Sequence, residues 1–237
     1  MLKYGKFVAD EFKGRWKMKK YKAVIFDLDG TLLNTLDDLA DAVNHTLKQF
    51  HYPARTKAEI RRFLGNGIEK LAKRVLPPGV SEEGFRRVYA VFKAYYTTHC
   101  QVKTRAYRGI EPLLLTLQSK GYRLAIVSNK NAEAVQTLHQ IYFARDIEVA
   151  IGQQTGIRKK PAPDTVLAAL EQLQIAKEDA IYVGDSEVDK ATADNTGMDV
   201  ILVTWGFRDK EELAQLKPTY LIDKPADILT CLEGVSQ

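Results

Sequence analysis

Asp27 and Asp29 lie two residues apart in Val24-Ile25-Phe26-Asp27-Leu28-Asp29-Gly30-Thr31-Leu32, where β-branched and aromatic residues run into two carboxylates and a glycine. Such a run reads as a buried strand ending in a polar loop. In a parallel α/β sheet, ligands bind beyond the carboxyl ends of the strands, which puts both aspartates at a site edge. Two anions that close repel unless a proton or a cation lies between them. A hard divalent ion with oxygen ligands, most simply Mg2+, resolves the conflict. Taken singly, each aspartate could instead cap a following helix, and Gly30 could be a plain turn residue.

Two further apolar runs end in the same way. Arg123-Leu124-Ala125-Ile126-Val127 leads into Ser128-Asn129, and Ala180-Ile181-Tyr182-Val183-Gly184 leads into Asp185-Ser186. Between them, Arg158-Lys159-Lys160-Pro161-Ala162-Pro163-Asp164 forms a basic loop stiffened by two prolines. In a parallel sheet these ends share one edge, so carboxylates, a hydroxyl, an amide and an ammonium can converge there. Carboxylates around a metal, with a lysine and a hydroxyl, suit an anion that must meet a nucleophile: a phosphoryl group.

The elements that must position these groups follow from periodicity. After Thr31 the spacing turns helical, with Leu36, Leu39, Ala40, Val43, Leu47 and Phe50 on one face and Thr35 with Asp38 as a start signal. Thr56 with Glu59 opens a second helix, Gly65-Asn66-Gly67 breaks it, and a short helix through Leu71 and Val75 follows. After Pro77-Pro78-Gly79, the residues Phe85, Val88, Tyr89, Phe92 and Tyr96 mark a long amphipathic helix. Residues 35–106 therefore read as an all-helical insert without a strand, a small second domain hinged near Leu33–Leu36 and Thr104–Gly109. From Gly109 onward strands and helices alternate, with further strands near Ile147–Ile151, Val200–Val203 and Tyr220–Ile222. The fold class expected is α/β, a doubly wound parallel sheet with right-handed crossovers. The core is residues 18–34 and 107–237.

Composition narrows the rest. With 45% apolar and 27% charged residues, the chain is that of an ordinary soluble globular protein. No apolar run approaches the ~20 residues needed to span a bilayer. The N-terminus lacks the apolar stretch of about 7–15 residues that a secretory signal carries. Cys100 and Cys231 are far apart and form no C-x-x-C, which favours a reducing cytoplasm. Of the net charge of +5, residues 1–17 supply +3 through Lys3, Lys6, Lys13, Arg15 and Lys17 against Asp10 and Glu11. The remainder is too nearly neutral for a nucleic-acid surface. Residues 1–17 are expected to be a leader or extension outside the fold.

Asp27-x-Asp29-Gly30-Thr31, Ser128 after a strand, Lys160-Pro161 and Gly184-Asp185-Ser186-x-x-Asp189 together resemble the four motifs of the haloacid-dehalogenase superfamily. Order and spacing both fit, the resemblance covers about residues 20–235, and the helical insert is similar to the cap of that superfamily. The resemblance implies a phosphoric monoester hydrolase. Asp27 would be the nucleophile that forms an aspartyl-phosphate, and Asp29 the acid and then the base. Mg2+ would be held by the Asp27 carboxylate, the Asp29 backbone carbonyl and Asp185. Ser128, Asn129 and Lys160, with Gly30 and Thr31, would bind the phosphoryl oxygens. Asp189 and Ser186 would lie behind these and orient Lys160 or a metal-bound water.

The dehalogenases of the superfamily lack an aspartate at the Asp29 position, which argues against carbon–halogen chemistry. Phe63-Leu64-Gly65-Asn66-Gly67, Ser128-Asn129-Lys130 and Thr204-Trp205-Gly206 resemble the phosphoglycolate phosphatase branch. That likeness implies a small phosphorylated metabolite, 2-phosphoglycolate, as substrate, in a monomer or homodimer with no nucleic-acid or membrane partner. The alternatives are a pyrophosphatase, a nucleotidase, a sugar-phosphate phosphatase or mutase, or a non-catalytic phosphate binder. In the cap, Asn66 and Gly67, flanked by Arg62 and Lys70, either present donors to a substrate carboxylate or merely join two helices. Lys130 either faces the site or lies at a helix start. Tyr89, Tyr95 and Tyr96 read as packing, and the four histidines show no metal spacing.

Overall fold

The computed structural model describes residues 21–233, so the expected extension at 1–17 lies outside the described residues. The strand β1 (Ala23–Phe26) is buried on both faces. Successive side chains of a strand point to opposite sides, so Val24 and Phe26 enter one apolar cluster and Ala23 and Ile25 the other. The chain then turns through β2 (Leu33–Asn34) into four helices, α1 (Leu36–Gln49), α2 (Lys57–Phe63), α3 (Ile68–Val75) and α4 (Glu82–His99). It returns through β3 (Arg105–Ala106).

Alternation follows: α5 (Ile110–Ser119), β4 (Arg123–Asn131), α6 (Ala132–Tyr142), β5 (Val149–Gln153) and α7 (Asp164–Leu173). The described residues close with β6 (Ala180–Gly184), α8 (Glu187–Thr196), β7 (Asp199–Val203), α9 (Lys210–Gln215), β8 (Tyr220–Ile222) and α10 (Asp227–Glu233). Six of these strands form one parallel sheet in the order β5-β4-β1-β6-β7-β8. β1 sits centrally between β4 and β6, so Asp27 and Asp185, which follow their strands, and Ser128, near the end of β4, lie at the same edge.

Helices cover both faces of the sheet. Leu113 and Leu117 of α5, Val135 and Leu138 of α6 and Ile228 of α10 pack with Val24 and Phe26. Val166, Ala169 and Leu173 of α7, Ala193 of α8 and Leu213 of α9 pack with Ile25. This doubly wound arrangement is the fold class read from the alternating pattern. Among the described residues, no helix is long and apolar enough to cross a membrane.

The helices α1–α4 bury a cluster of their own, with Leu39, Val43, Ile60, Leu71, Val88 and Phe92 at its centre. Contrary to the expectation of no strand in 35–106, Arg105–Ala106 pairs antiparallel with Leu33–Asn34 where the chain leaves and re-enters the sheet region. A two-residue ladder is too short to register as an alternation in sequence. Thr35 precedes α1 as expected but makes no side-chain cap bond. Asp38 instead turns to the other crossing and accepts from Lys103 N at 2.8 Å, Thr104 N at 2.9 Å and Thr104 Oγ1 at 2.8 Å. Thr56 and Glu59 do form the reciprocal capping box that opens α2.

Candidate active site

The carboxyl ends of β1, β4 and β6 surround one cavity that is partly open to solvent. Its polar floor consists of Asp27, Asp29, Ser128, Asn129, Lys130, Lys160, Asp185, Ser186 and Asp189. Its roof is Leu39, Leu64, Gly65, Gly67 and Ile68 from the helical stretch, with Phe207 from the loop after β7.

Lys160 links the carboxylates. Its Nζ donates to Asp27 Oδ1 at 2.6 Å, Asp189 Oδ1 at 2.8 Å and the Tyr182 hydroxyl at 2.9 Å. Asp189 is saturated as an acceptor. Its Oδ1 also takes the Tyr182 hydroxyl, and its Oδ2 takes the N–H groups of Asp185 and Ser186 and the Ser186 hydroxyl. It therefore both caps α8 and aims the lysine. Asp27 and Asp185 keep lone pairs free toward the cavity. Asp185 Oδ2 accepts from Phe207 N at 2.7 Å, and Asp185 Oδ1 from Thr31 Oγ1 at 3.4 Å.

One oxygen from each of Asp27, Asp185 and Asp189 falls within 4.8 Å of the others, and all three residues are buried. Among the described residues Lys160 is the cation that touches Asp27 and Asp189, so one ammonium faces three carboxyl groups. A set of hard oxygen donors with surplus negative charge fits Mg2+ or a similar divalent ion. Burial pushes the Asp27 carboxyl up to about 7, even though Lys160 pulls it down. Burial, followed by the Asp189 and Asp27 charges, raises Asp185 well above the usual carboxylate range. Burial would raise Asp189 too, but the Lys160 ammonium together with the hydrogen bonds from Lys160, Ser186 and Tyr182 outweighs it and holds the group below that range.

The expected residues fall into three groups. Asp27, Asp29, Ser128, Asn129, Lys160, Asp185, Ser186 and Asp189 all line the cavity. The Asn129 amide donates to Lys160 O at 3.0 Å, and its Oδ1 has no partner among the described residues. Gly30 and Thr31 are not in the lining but support Asp185 from behind. Gly30 has φ +93, and a Cβ there would collide with the Asp185 carboxylate. The expected charges of the helical turn do not reach the cavity. Gly67 lines it, but Asn66 Nδ2 donates to Glu187 Oε1 at 3.4 Å, Lys70 Nζ donates to Asn66 Oδ1 at 3.4 Å, and Arg62 is exposed.

Lys130 faces the site. Its Nζ donates to both Asp29 oxygens, at 2.8 and 2.9 Å, and to the Tyr96 hydroxyl at 2.7 Å. Sequence reasoning left Tyr182, Tyr96, Phe207 and Arg208 without a place at the site. A tyrosine within the fully buried Ala180–Gly184 strand was a usable signal, because its hydroxyl must find a partner there. The role of Arg208 carried no local signal. It donates to Leu64 O at 2.7 Å and pairs with Glu187, which joins the loop after β7 to the turn after α2.

Residues 24–203 match the family model described as haloacid dehalogenase-like hydrolase. The phosphoglycolate phosphatase of Vibrio cholerae is 34% identical over 225 residues, covering 92% of this chain and 98% of that protein. The phosphoglycolate phosphatase of Aquifex aeolicus is 31% identical over 215 residues, covering 90% and 97%. A solved structure from Lactobacillus delbrueckii subsp. bulgaricus matches with TM-score 0.87 at 36% identity, over 91% of this chain and 99% of that one. A haloacid dehalogenase-like family hydrolase from Streptococcus pneumoniae matches with TM-score 0.81 at 27% identity, over 89% and 98%.

Proposed function

The chain belongs to the haloacid dehalogenase-like hydrolases, and on that premise we propose that it is a Mg2+-dependent phosphatase that hydrolyses 2-phosphoglycolate to glycolate and phosphate. The observation that carries this reading is the gathering of Asp27, Ser128, Lys160 and Asp185 around one cavity.

Asp27 attacks phosphorus, the bond from phosphorus to the leaving oxygen breaks, and Asp29 gives that oxygen its proton. Asp29, now a carboxylate, takes a proton from water as the water oxygen attacks the aspartyl-phosphate. The bond from phosphorus to Asp27 then breaks and inorganic phosphate leaves. Lys160 and Ser128 hold the phosphoryl oxygens and offset the charge that develops on them. Asp27, Asp185 and the Asp29 backbone carbonyl would hold Mg2+, which as a Lewis acid neutralises phosphoryl charge and orients the group. In this reading Asp189 stands behind the ligands.

Residues 35–106 act as a cap whose apolar roof excludes water from the reaction. That roof, with Gly65 and Gly67 backbone beside it, suits a substrate little larger than its phosphate. The names of relatives aligned over about nine-tenths of the chain support phosphoglycolate. Buried free thiols at Cys100 and Cys231 are in keeping with work in the cytoplasm.

A phosphate-release screen over 2-phosphoglycolate, sugar phosphates, nucleoside monophosphates and pyrophosphate, with Mg2+ present, tests the proposal. Preference for 2-phosphoglycolate in kcat/KM is expected. Preference for another compound replaces the substrate and keeps the reaction, whereas turnover of none of them removes both.

A further inference from the structure

Asp29 is gripped rather than free at the cavity edge. An ammonium has three N–H donors, and the two Asp29 oxygens and the Tyr96 hydroxyl use all three on Lys130. The Lys130 side chain is 1% exposed and that of Asp29 22%, so the ammonium is buried beneath a carboxylate that still reaches the cavity, and the bonds between them are charge-assisted. The ammonium also lies 4.9 Å from the centroid of the Tyr96 ring. On the other side, Lys130 N donates to Ser128 Oγ at 3.2 Å, which anchors the lysine backbone beside the phosphoryl-binding hydroxyl. Three elements therefore meet at one nitrogen: the loop after β1, the end of β4, and α4.

With every donor engaged, Lys130 has none left for a substrate. An aspartate whose two oxygens both face one ammonium has one orientation, as the acid and as the carboxylate, whereas a free aspartate rotates among several. We propose that Lys130 is a positioning residue for Asp29, and that Tyr96 makes the grip depend on the placement of α4. This rests on the acid/base reading of Asp29. Without the grip, the aspartate stays in the cavity but meets the leaving oxygen in fewer productive encounters. The loss then falls on the step that needs its proton.

That step can be isolated chemically. An alkoxide leaving group requires a proton as its bond to phosphorus breaks, whereas p-nitrophenolate leaves without one. The test is kcat/KM of the full chain with Mg2+ for two substrates, because this constant reports only steps through the first irreversible one. One substrate is p-nitrophenyl phosphate. The other is 2-phosphoglycolate, or the alkyl phosphate that the substrate screen prefers. Asp29→Asn sets the reference and should slow the alkyl substrate roughly 10²–10⁴-fold more than the aryl one.

Lys130→Met keeps an unbranched side chain one atom shorter and removes the ammonium. It should show the same selectivity, with the alkyl phosphate losing at least about tenfold more than the aryl phosphate. Tyr96→Phe removes a single oxygen and should shift the ratio in the same direction by less. Equal losses for both substrates in Lys130→Met, beside a selective Asp29→Asn, would overturn the proposal and leave the acid/base reading standing. Absence of selectivity in Asp29→Asn would overturn both. If Lys130→Met does not fold, an unchanged substrate ratio in Tyr96→Phe overturns the proposal, and a shifted ratio supports it.

Discussion

The backbone N–H of Phe207 donates to Asp185 Oδ2 at 2.7 Å, while the Phe207 ring is buried in the apolar cluster of α1–α4. One residue thus holds an acidic group of the sheet edge with its main chain and the helical stretch with its side chain. Phe207→Ala empties a buried position, a change that typically costs about 3–5 kcal/mol. It should lower the melting temperature and also raise the Mg2+ concentration at half-maximal activity. Thermal melts beside a Mg2+ titration check this, and a stability loss with an unchanged titration would separate the two roles.

Asp27→Asn should leave the fold intact and reduce kcat by about 10⁴-fold or more, as removal of a nucleophile does elsewhere. The substitution keeps the shape of the side chain in a region crowded with acid. Circular dichroism and steady-state rates test the two halves, and a variant that turns over at the wild-type rate would exclude Asp27 as nucleophile.

The acidic cluster predicts an unusual pH response in the metal-free protein. The Asp27 carboxyl is pushed up to about 7 from an ordinary 3.8, so between those values the native chain binds a proton that the unfolded chain has released. Stability is then greatest below the lower value and falls as pH rises through 7. Asp185, also raised, acts in the same sense. Asp189 is lowered and acts in the opposite sense, at pH below the ordinary carboxylate value. With chelator present, the melting temperature of the wild type should fall relative to Asp27→Asn from about pH 4 to 7. Added Mg2+ should restore more at pH 7.5 than at pH 5, because protons compete for its ligands. A constant difference across the range would mean that Asp27 is ionised throughout.

Arg208→Ala should loosen the turn after α2. It removes the bonds to Leu64 O and Glu187, at a cost of roughly 1–3 kcal/mol. Arg61 still bonds Asp209 and the carbonyls of Gly206 and Arg208, so separation should be partial. Hydrogen exchange should quicken at residues 61–69 and stay unchanged in β1 and β6. Uniform acceleration across the chain would indicate global destabilisation instead.

The sheet was legible because each central strand is an unbroken apolar run ending in polar residues, and that pattern survives without tertiary knowledge. Tyr220–Ile222 emerged with the bounds read from sequence, and β5 began two residues later than expected. The two possibilities for Lys130 differed by where a strand stops. β4 runs to Asn131, whose side chain caps α6, so the lysine lies on the strand and turns inward. Around the helical turn, charge alone misled: Arg62 and Lys70 stand outside the cavity, and the buried cations on it come from the sheet edge. Phe207 and Arg208 tie residues of the loop and helix after β6 to helical-stretch residues more than a hundred positions earlier, for which neither periodicity nor a motif provides a sign.

Gly30 and Gly206 press against the Asp185 carboxylate from two sides, and a Cβ at either position would overlap it. Main chain, rather than rotamer preference, therefore fixes where that acid points. The consequence is a division of labour that an engineer can use. Variants meant to accept another phosphorylated compound can begin at Leu39, Leu64 and Ile68, which line the roof, while the glycine clamp keeps Asp185 in place.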